Sequence, residues 1–112
     1  NLQREKILPS EKALAYKMKY DAIKHQGKTS DPLDPKLSIE KVGKDTGDSA
    51  TQIKRYIRLN YLIPELLQLV DDTVLKDKKS ILTMELRSAV ELSFLTKKEQ
   101  EIVYEEISNE YV

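Results

Sequence analysis

Apolar residues recur at intervals of three and four along most of the chain, a spacing that predicts helices and no strands. The first helix is predicted over residues 10–26, since Gly27 is suited to ending a helix. Residues 28–36 contain two Asp-Pro pairs and are predicted to form a loop. We expect the helix to bury two neighbouring apolar stripes, Ala13, Tyr16, Tyr20 and Ile23 in one and Leu14, Met18 and Ala22 in the other.

Two short helices separated by a tight turn are predicted next. Ser38 is expected to cap the first, which runs to about Asp45. Ser49, with Gln52 three residues later, forms the capping box of the second, which ends near Leu59 or Tyr61.

Three further helices complete the predicted fold. Pro64 opens one of them at the position that helix starts prefer. Residues 73–79 are predicted to be a polar connection, Thr83 to begin the next helix, and a capping box at Thr96 and Glu99 to begin the last. The sequence therefore predicts an all-α, compact single domain of about six helices over residues 1–112.

Residues 38–59 have the organisation of a helix-turn-helix. Val42 and Gly43 place an apolar residue and a minimal one where the two helices would cross, and Gly47 lies where the turn needs a positive φ. Thr46 and Asp48 depart from the usual pattern, in which apolar residues flank that glycine. We therefore expect the turn to be less well packed.

The second short helix is predicted to have two opposed sides. At 100° per residue, one side carries Thr51, Lys54, Arg55 and Arg58, and the other carries Ala50, Ile53, Tyr56, Ile57 and Asn60. A recognition helix needs this division, because one side packs on the protein while the other meets phosphates and base edges. An ordinary solvated charged face is the alternative interpretation.

Net charge is zero, with 19 basic and 19 acidic residues, but the charges are segregated. Residues 1–28 hold seven bases and three acids, whereas residues 85–112 hold three bases and seven acids. The basic amino-terminal half suits a polyanionic partner. The chain has no cysteine, which excludes a thiol nucleophile and a cysteine-ligated zinc, and one histidine, His25, so we expect no metal.

Several stretches of the chain together resemble the ParB family of plasmid and chromosome partition proteins, including the related KorB-like repressors. The resemblance is carried by residues 1–5 (NLQRE), 9–13 (PSEKA), 42–44 (VGK), 55–59 (RYIRL) and 63–67 (IPELL). It implies a central helix-turn-helix DNA-binding domain. Residues 1–5 would be the end of a preceding CTP-binding domain whose other pocket residues are absent from the chain, so the resemblance implies no enzyme activity and no cofactor. We expect the chain, which begins at Asn1, to be a piece of a longer protein.

The predicted site combines this resemblance with side-chain chemistry. The resemblance places Ser49, Thr51, Gln52 and Arg55 in the recognition helix and Arg87 in a later DNA-contacting helix. Lys54, Arg55 and Arg58 would meet phosphates or guanine edges, Thr51 and Gln52 would read bases, and both helix amino ends would bind phosphates. The predicted DNA-binding residues are Ser38, Lys44, Ser49, Ala50, Thr51, Gln52, Lys54, Arg55, Arg58 and Arg87.

The predicted function is sequence-specific binding of double-stranded DNA at a centromere-like inverted repeat in plasmid or chromosome partition. A homodimer would match the symmetry of such a site, and a partition ATPase would be the partner of the full-length protein. The expected location is the cytoplasm, on the nucleoid or a plasmid, with no membrane partner. The alternatives are a KorB-like transcriptional repressor and a helical protein–protein adaptor that binds through residues 66–70.

Overall fold

Helices make up most of the described structure, a computed structural model in which residues 7–26, 35–44, 46–75 and 83–110 are described. The helices are α1 (Pro9–Gln26), α2 (Pro35–Gly43), α3 (Ala50–Arg58), α4 (Pro64–Leu75), α5 (Leu86–Leu92) and α6 (Lys97–Glu110), with a 3-10 turn at Leu59–Tyr61. These residues contain no strand. The predicted all-α fold of about six helices is confirmed, whereas the predicted remnant at residues 1–5 lies outside the described residues.

The start of α1 is fixed both by its own residues and by α4. The Leu8 N–H donates to Glu11 Oε1 at 3.0 Å, which satisfies one of the backbone donors at the helix end. Asp71 of α4, only 6% exposed, accepts from the Ser10 N–H at 2.9 Å and the Ser10 hydroxyl at 2.6 Å. The predicted first helix is therefore confirmed, with a cap supplied by a residue distant in sequence.

Only one of the two apolar stripes predicted for α1 is buried. Ala13 and Tyr16 belong to the core, whereas Leu14 is 58% and Met18 63% exposed. Ala22, the third member of the second stripe, is also exposed. The prediction that both stripes are buried is wrong, because α2, α3 and α4 all pack against the side that carries Ala13 and Tyr16.

The core consists of two apolar clusters joined by α3. The first contains Ala13, Leu59, Leu62, Ile63, Leu66, Leu69, Val70 and Ala89, and the second contains Tyr16, Ile39, Val42 and Ile53. Tyr56 packs against both clusters.

Residues 66–70 of α4 are part of this core. Leu66, Leu69 and Val70 are 0%, 6% and 2% exposed, and Leu67 is half-buried against the first cluster. The structure therefore gives no support to an adaptor surface at residues 66–70, since these apolar side chains pack in the core.

Helix α2 begins at Pro35, earlier than predicted. Proline is favoured at the first position of a helix because its fixed φ suits the helix and its missing N–H would have no partner there. The backbone of Ser38 consequently lies inside α2, and only its backbone is described. The prediction that Ser38 caps this helix is wrong.

The connection between α4 and α5 also differs from the prediction. Helix α4 continues through Thr73 to Leu75, and the remaining predicted connection, residues 76–79, lies outside the described residues. Helix α5 begins at Leu86 rather than at Thr83. The Met84 N–H donates to Leu69 O at 3.2 Å and to Thr73 Oγ1 at 3.0 Å. These bonds hold the segment before α5 against α4, and Glu85, which has extended backbone angles, directly precedes the helix.

The start of α6 is the predicted capping box. The Thr96 N–H donates to Glu99 Oε1 at 3.0 Å, and the Glu99 N–H donates to Thr96 Oγ1 at 3.1 Å. The backbone hydrogen bond from Thr96, with the side-chain bond, lowers the pKa of Glu99 below its usual value. This prediction from local sequence is confirmed.

Gly47 has the positive φ that the turn pattern predicts, at 81°. A side chain at this position would meet no other atom, so the cost of a substitution is conformational. We expect Gly47→Ala to destabilise the protein by about 1–2 kcal/mol and Gly47→Asn by less, since asparagine tolerates this region better. Thermal melts followed by circular dichroism measure both, and equal melting temperatures for the parent and Gly47→Ala would contradict the prediction.

Candidate functional site

Helices α2 and α3 approach each other closely at Gly43. A Cβ atom on Gly43 would collide with Cδ1 of Ile53 and would lie 3.2 Å from the Asp48 carbonyl oxygen. Val42 and Ile53, beside this contact, are each 1% exposed. The expectation that an apolar residue and a minimal one let these helices cross closely is confirmed, and the packing fixes α3 against α2.

The turn between α2 and α3 is held by hydrogen bonds of its polar residues. Thr46 donates to the Gly43 carbonyl through its N–H and its hydroxyl, each at 3.2 Å, and accepts from the Asp48 N–H at 3.2 Å. Thr46 and Asp48 were expected to weaken the packing around Gly47. Gly47 is exposed and a side chain there would meet no other atom, in agreement with that expectation, and hydrogen bonds rather than apolar contacts hold the turn.

Asp48 also ties the turn to α1. Its Oδ2 accepts a short hydrogen bond from the Tyr16 hydroxyl and lies 3.2 Å from Lys12 Nζ. The hydrogen bond from Tyr16, followed by the one from Lys12, holds the pKa of Asp48 below its usual value. Burial, with the neighbouring Asp48, raises the pKa of Tyr16. Asp48 is therefore ionised near neutral pH with its charge directed at α1.

Tyr56 of α3 completes this contact. Its ring meets the ring of Tyr16 edge-on, with centroids 5.9 Å apart and planes at 75°, and Lys12 Nζ lies 5.0 Å from its centroid. The sequence analysis did not identify this cluster. The four-residue separation of Lys12 and Tyr16, which puts both on one side of α1, was the available signal.

Ser49 caps α3 as predicted. It has extended backbone angles, and its Oγ accepts from the Gln52 N–H at 3.2 Å. Oε1 of Gln52 accepts from Arg55 Nη1 at 3.0 Å, so the Gln52 side chain pairs within α3 on its outer side.

The two predicted sides of α3 are largely present. Ile53 is buried, Tyr56 and Ile57 are half-buried, and Asn60 just beyond α3 donates to the Ala13 carbonyl at 2.7 Å. Ala50 differs from the prediction, because it is exposed at the first turn rather than packed on the inner side. The outer side presents exposed Ser49, Ala50, Thr51 and Lys54 and half-buried Gln52 and Arg55.

Arg58 does not belong to this open surface. Its guanidinium donates from Nε to Ser93 Oγ at 3.0 Å and from Nη2 to the Ser93 carbonyl at 2.7 Å. It also lies between two rings, 4.5 Å from the centroid of Tyr61 and 3.9 Å from that of Phe94. The prediction that Arg58 lies with Lys54 on a free basic face is wrong, since these contacts direct it to the end of α5.

The remaining predicted site residues lie around α3. Lys44 is exposed directly after α2, and Arg87 is exposed on α5, a helix that packs against α3. Ser38 is the fourth residue of α2 and does not precede the helix as a cap. The structure thus brings Ser49, Ala50, Thr51, Gln52, Lys54 and Arg55 onto one surface.

Comparison with protein-family models, curated proteins and solved structures found no match to this chain. Among residues 7–26, 35–44, 46–75 and 83–110, no group of three or more histidine and acidic side chains is arranged to hold a metal ion. Within these same residues, no helix is both long and apolar enough to cross a membrane.

Proposed function

We propose that this protein binds double-stranded DNA with α3 as its recognition helix. The observation that carries the proposal is the division of α3 into a packed side and an exposed basic side that has no acidic residue. An α-helix is about 10–12 Å across with its side chains, and the major groove is about 12 Å wide. The exposed side of α3 therefore has a suitable size and charge for the groove.

In this proposal, the amino end of α3 and two lysines bind phosphates. The Ser49 side chain satisfies the Gln52 N–H, while the Ala50 and Thr51 N–H groups precede the first helical bonds and are suited to a phosphate oxygen. Lys54 is exposed and forms no salt bridge with any residue in the described part of the chain. Lys44 adds a second exposed cation beside the turn.

In this proposal, Gln52 and Arg55 recognise the bases. Arginine binds the O6 and N7 atoms of guanine, and glutamine binds the N6 and N7 atoms of adenine. The 3.0 Å bond between their side chains joins two groups that are able to read adjacent bases. Thr51, exposed on the same side of α3, is suited to a thymine methyl group or a phosphate.

Asp48 is compatible with this proposal although it precedes the amino end of α3. An unpaired carboxylate there would repel a phosphate group. The Asp48 side chain is 21% exposed and paired with Lys12, and it accepts from the Tyr16 hydroxyl. Its charge is thus compensated on the protein side of the turn.

The resemblance to ParB proteins extends the proposal to a biological role. Partition of a plasmid or chromosome and repression of the KorB kind both depend on recognition of a specific duplex site. We propose partition as the role, with a partition ATPase as the protein partner and repression as the variant that uses the same surface.

Fluorescence anisotropy with a short random-sequence duplex at several salt concentrations tests DNA binding. We expect binding at low salt that weakens steeply as salt rises, because bound cations are released from the phosphates. Lys54→Glu should weaken binding about tenfold or more and lower the salt slope by roughly one unit, while stability changes by less than about 0.5 kcal/mol.

Lys97→Glu is the matched control, because it makes the same charge change at an exposed position on α6. It should retain most of the affinity of the parent. If the parent fails to bind at low salt, or if both variants lose the same affinity, α3 is not the DNA-binding surface.

A further inference from the structure

Helix α5 is held at both of its ends by other helices. At its start, Thr73 of α4 accepts from the Met84 N–H at 3.0 Å and donates to the Met84 carbonyl at 2.9 Å. At its end, Ser93, which is 3% exposed, binds the guanidinium of Arg58 from α3. Seven residues make an unstable helix in isolation, so these two attachments, together with the burial of Ala89 in the first apolar cluster, determine where α5 lies.

The attachment at Arg58 depends on the shape of a guanidinium group. Two of its nitrogens donate to Ser93, and its plane lies between the rings of Tyr61 and Phe94. Lysine cannot reproduce this arrangement, because an ammonium is a compact charge that lacks the planar fork of donors. Ordinary phosphate contacts are less demanding, and lysine makes them well as a point charge.

Arg87 is the basic residue that this attachment would place. It lies in the first turn of α5, is exposed and is the one basic residue in this helix. Since α5 packs directly against α3, the position of Arg87 relative to Lys54 depends on how the ends of the two helices are joined.

We propose that Arg58 is a positioning residue for DNA binding, which fixes α5 on α3 so that Arg87 contacts the same duplex as α3. This inference rests on the proposed function and extends it from one helix to two. Arg58 then acts through Ser93 and Arg87, and its own charge is not a phosphate contact.

Duplex affinities of combined variants test this proposal. We expect Arg87→Gln to weaken binding of the parent to a random-sequence duplex by about threefold to tenfold, as loss of one charged contact does. In an Arg58→Lys background the same change should have little further effect, because Arg87 is already displaced. Arg58→Lys alone should weaken binding although it keeps the positive charge.

Two further variants separate positioning from charge and from folding. Ser93→Ala keeps every charge and the backbone acceptor. Like Arg58→Lys, it should therefore reduce the loss of affinity that Arg87→Gln causes. Lys54→Gln removes one charge from α3. The loss of affinity in the double variant Lys54→Gln and Arg87→Gln should equal the product of the two single losses, because the two contacts are independent. Circular dichroism at the temperature of the binding assay establishes that each variant is folded, and Ser93→Ala provides the test if Arg58→Lys does not fold.

The results that overturn the inference differ from those that overturn DNA binding itself. If Arg58→Lys binds like the parent, or if Arg87→Gln costs the same factor in every background, Arg58 does not position Arg87, while DNA binding by α3 stands. If the parent does not bind the duplex at low salt, both proposals are wrong.

Discussion

Ile53→Asp is expected to unfold the protein. Ile53 is 1% exposed and packs with Tyr16, Ile39 and Val42 between α1, α2 and α3. A carboxylate there would lose its hydration without a cation or donor placed to receive it, at a cost of several kcal/mol. Domains of this size are stable by only about 5–15 kcal/mol, so the variant should lose most of its helical circular dichroism signal or melt at a much lower temperature.

A conservative change at the same position provides the control. Ile53→Val should cost about 0.5–1.5 kcal/mol and keep the helices, because it removes only one methyl group. It also removes Cδ1, the atom that a side chain at Gly43 would strike. Gly43→Ala should therefore destabilise the parent more than it destabilises Ile53→Val, as a double-mutant cycle of melts would show. A folded, parent-like Ile53→Asp would contradict the packing of α3 described above.

Local signals predicted much of this fold because they act within a few residues. The caps at Ser49 and at Thr96 with Glu99 occur where the sequence predicts them. The Gln52 side chain differs, because it accepts from Arg55 and not from the Ser49 N–H. Gly47 has its expected positive φ, since few other residues adopt that conformation without cost. These features depend on the identities of neighbouring residues, so a single sequence contains the information.

Contacts between distant residues account for the predictions that were wrong. Thr73 and Leu69 bind the backbone of Met84 and hold the segment before α5 against α4, a contact that no periodicity near Thr83 indicates. On α1, Leu14 and Met18 have the spacing of a buried stripe but are largely exposed and belong to neither apolar cluster. Apolar spacing identifies a helix and its candidate faces, whereas burial depends on where the other helices lie.

The candidate site also combines features set by local sequence with features set by contacts between distant residues. The exposed positions of Thr51 and Lys54 follow from the angular positions of α3 residues, and the sequence predicted them. Arg58 is close to Lys54 in angle, yet Ser93 lies 35 residues further along the chain and binds its guanidinium. Helical periodicity therefore predicted the outer face of α3 but could not show that one of its cations contacts another helix.

Gln100→Leu is the second change expected to have a large effect. The Gln100 side chain is fully buried at the start of α6, where its Oε1 accepts from the Ile63 N–H at 2.8 Å. Its Nε2 donates to the carbonyls of Tyr61 at 2.9 Å and Leu95 at 3.1 Å. Leucine has a similar size but would leave three backbone groups without these partners, and each buried unpaired group costs about 1–3 kcal/mol. We expect a loss of several kcal/mol in the free energy of unfolding, measured by urea unfolding followed by circular dichroism, because Gln100 joins α6 to the start of α4.

Gln68→Leu is the matched control, since Gln68 is exposed and bonds Asp72 one turn away. It should change stability by less than about 0.5 kcal/mol. Equal stabilities for the two variants would show that the hydrogen bonds of Gln100 do not hold α6 in place.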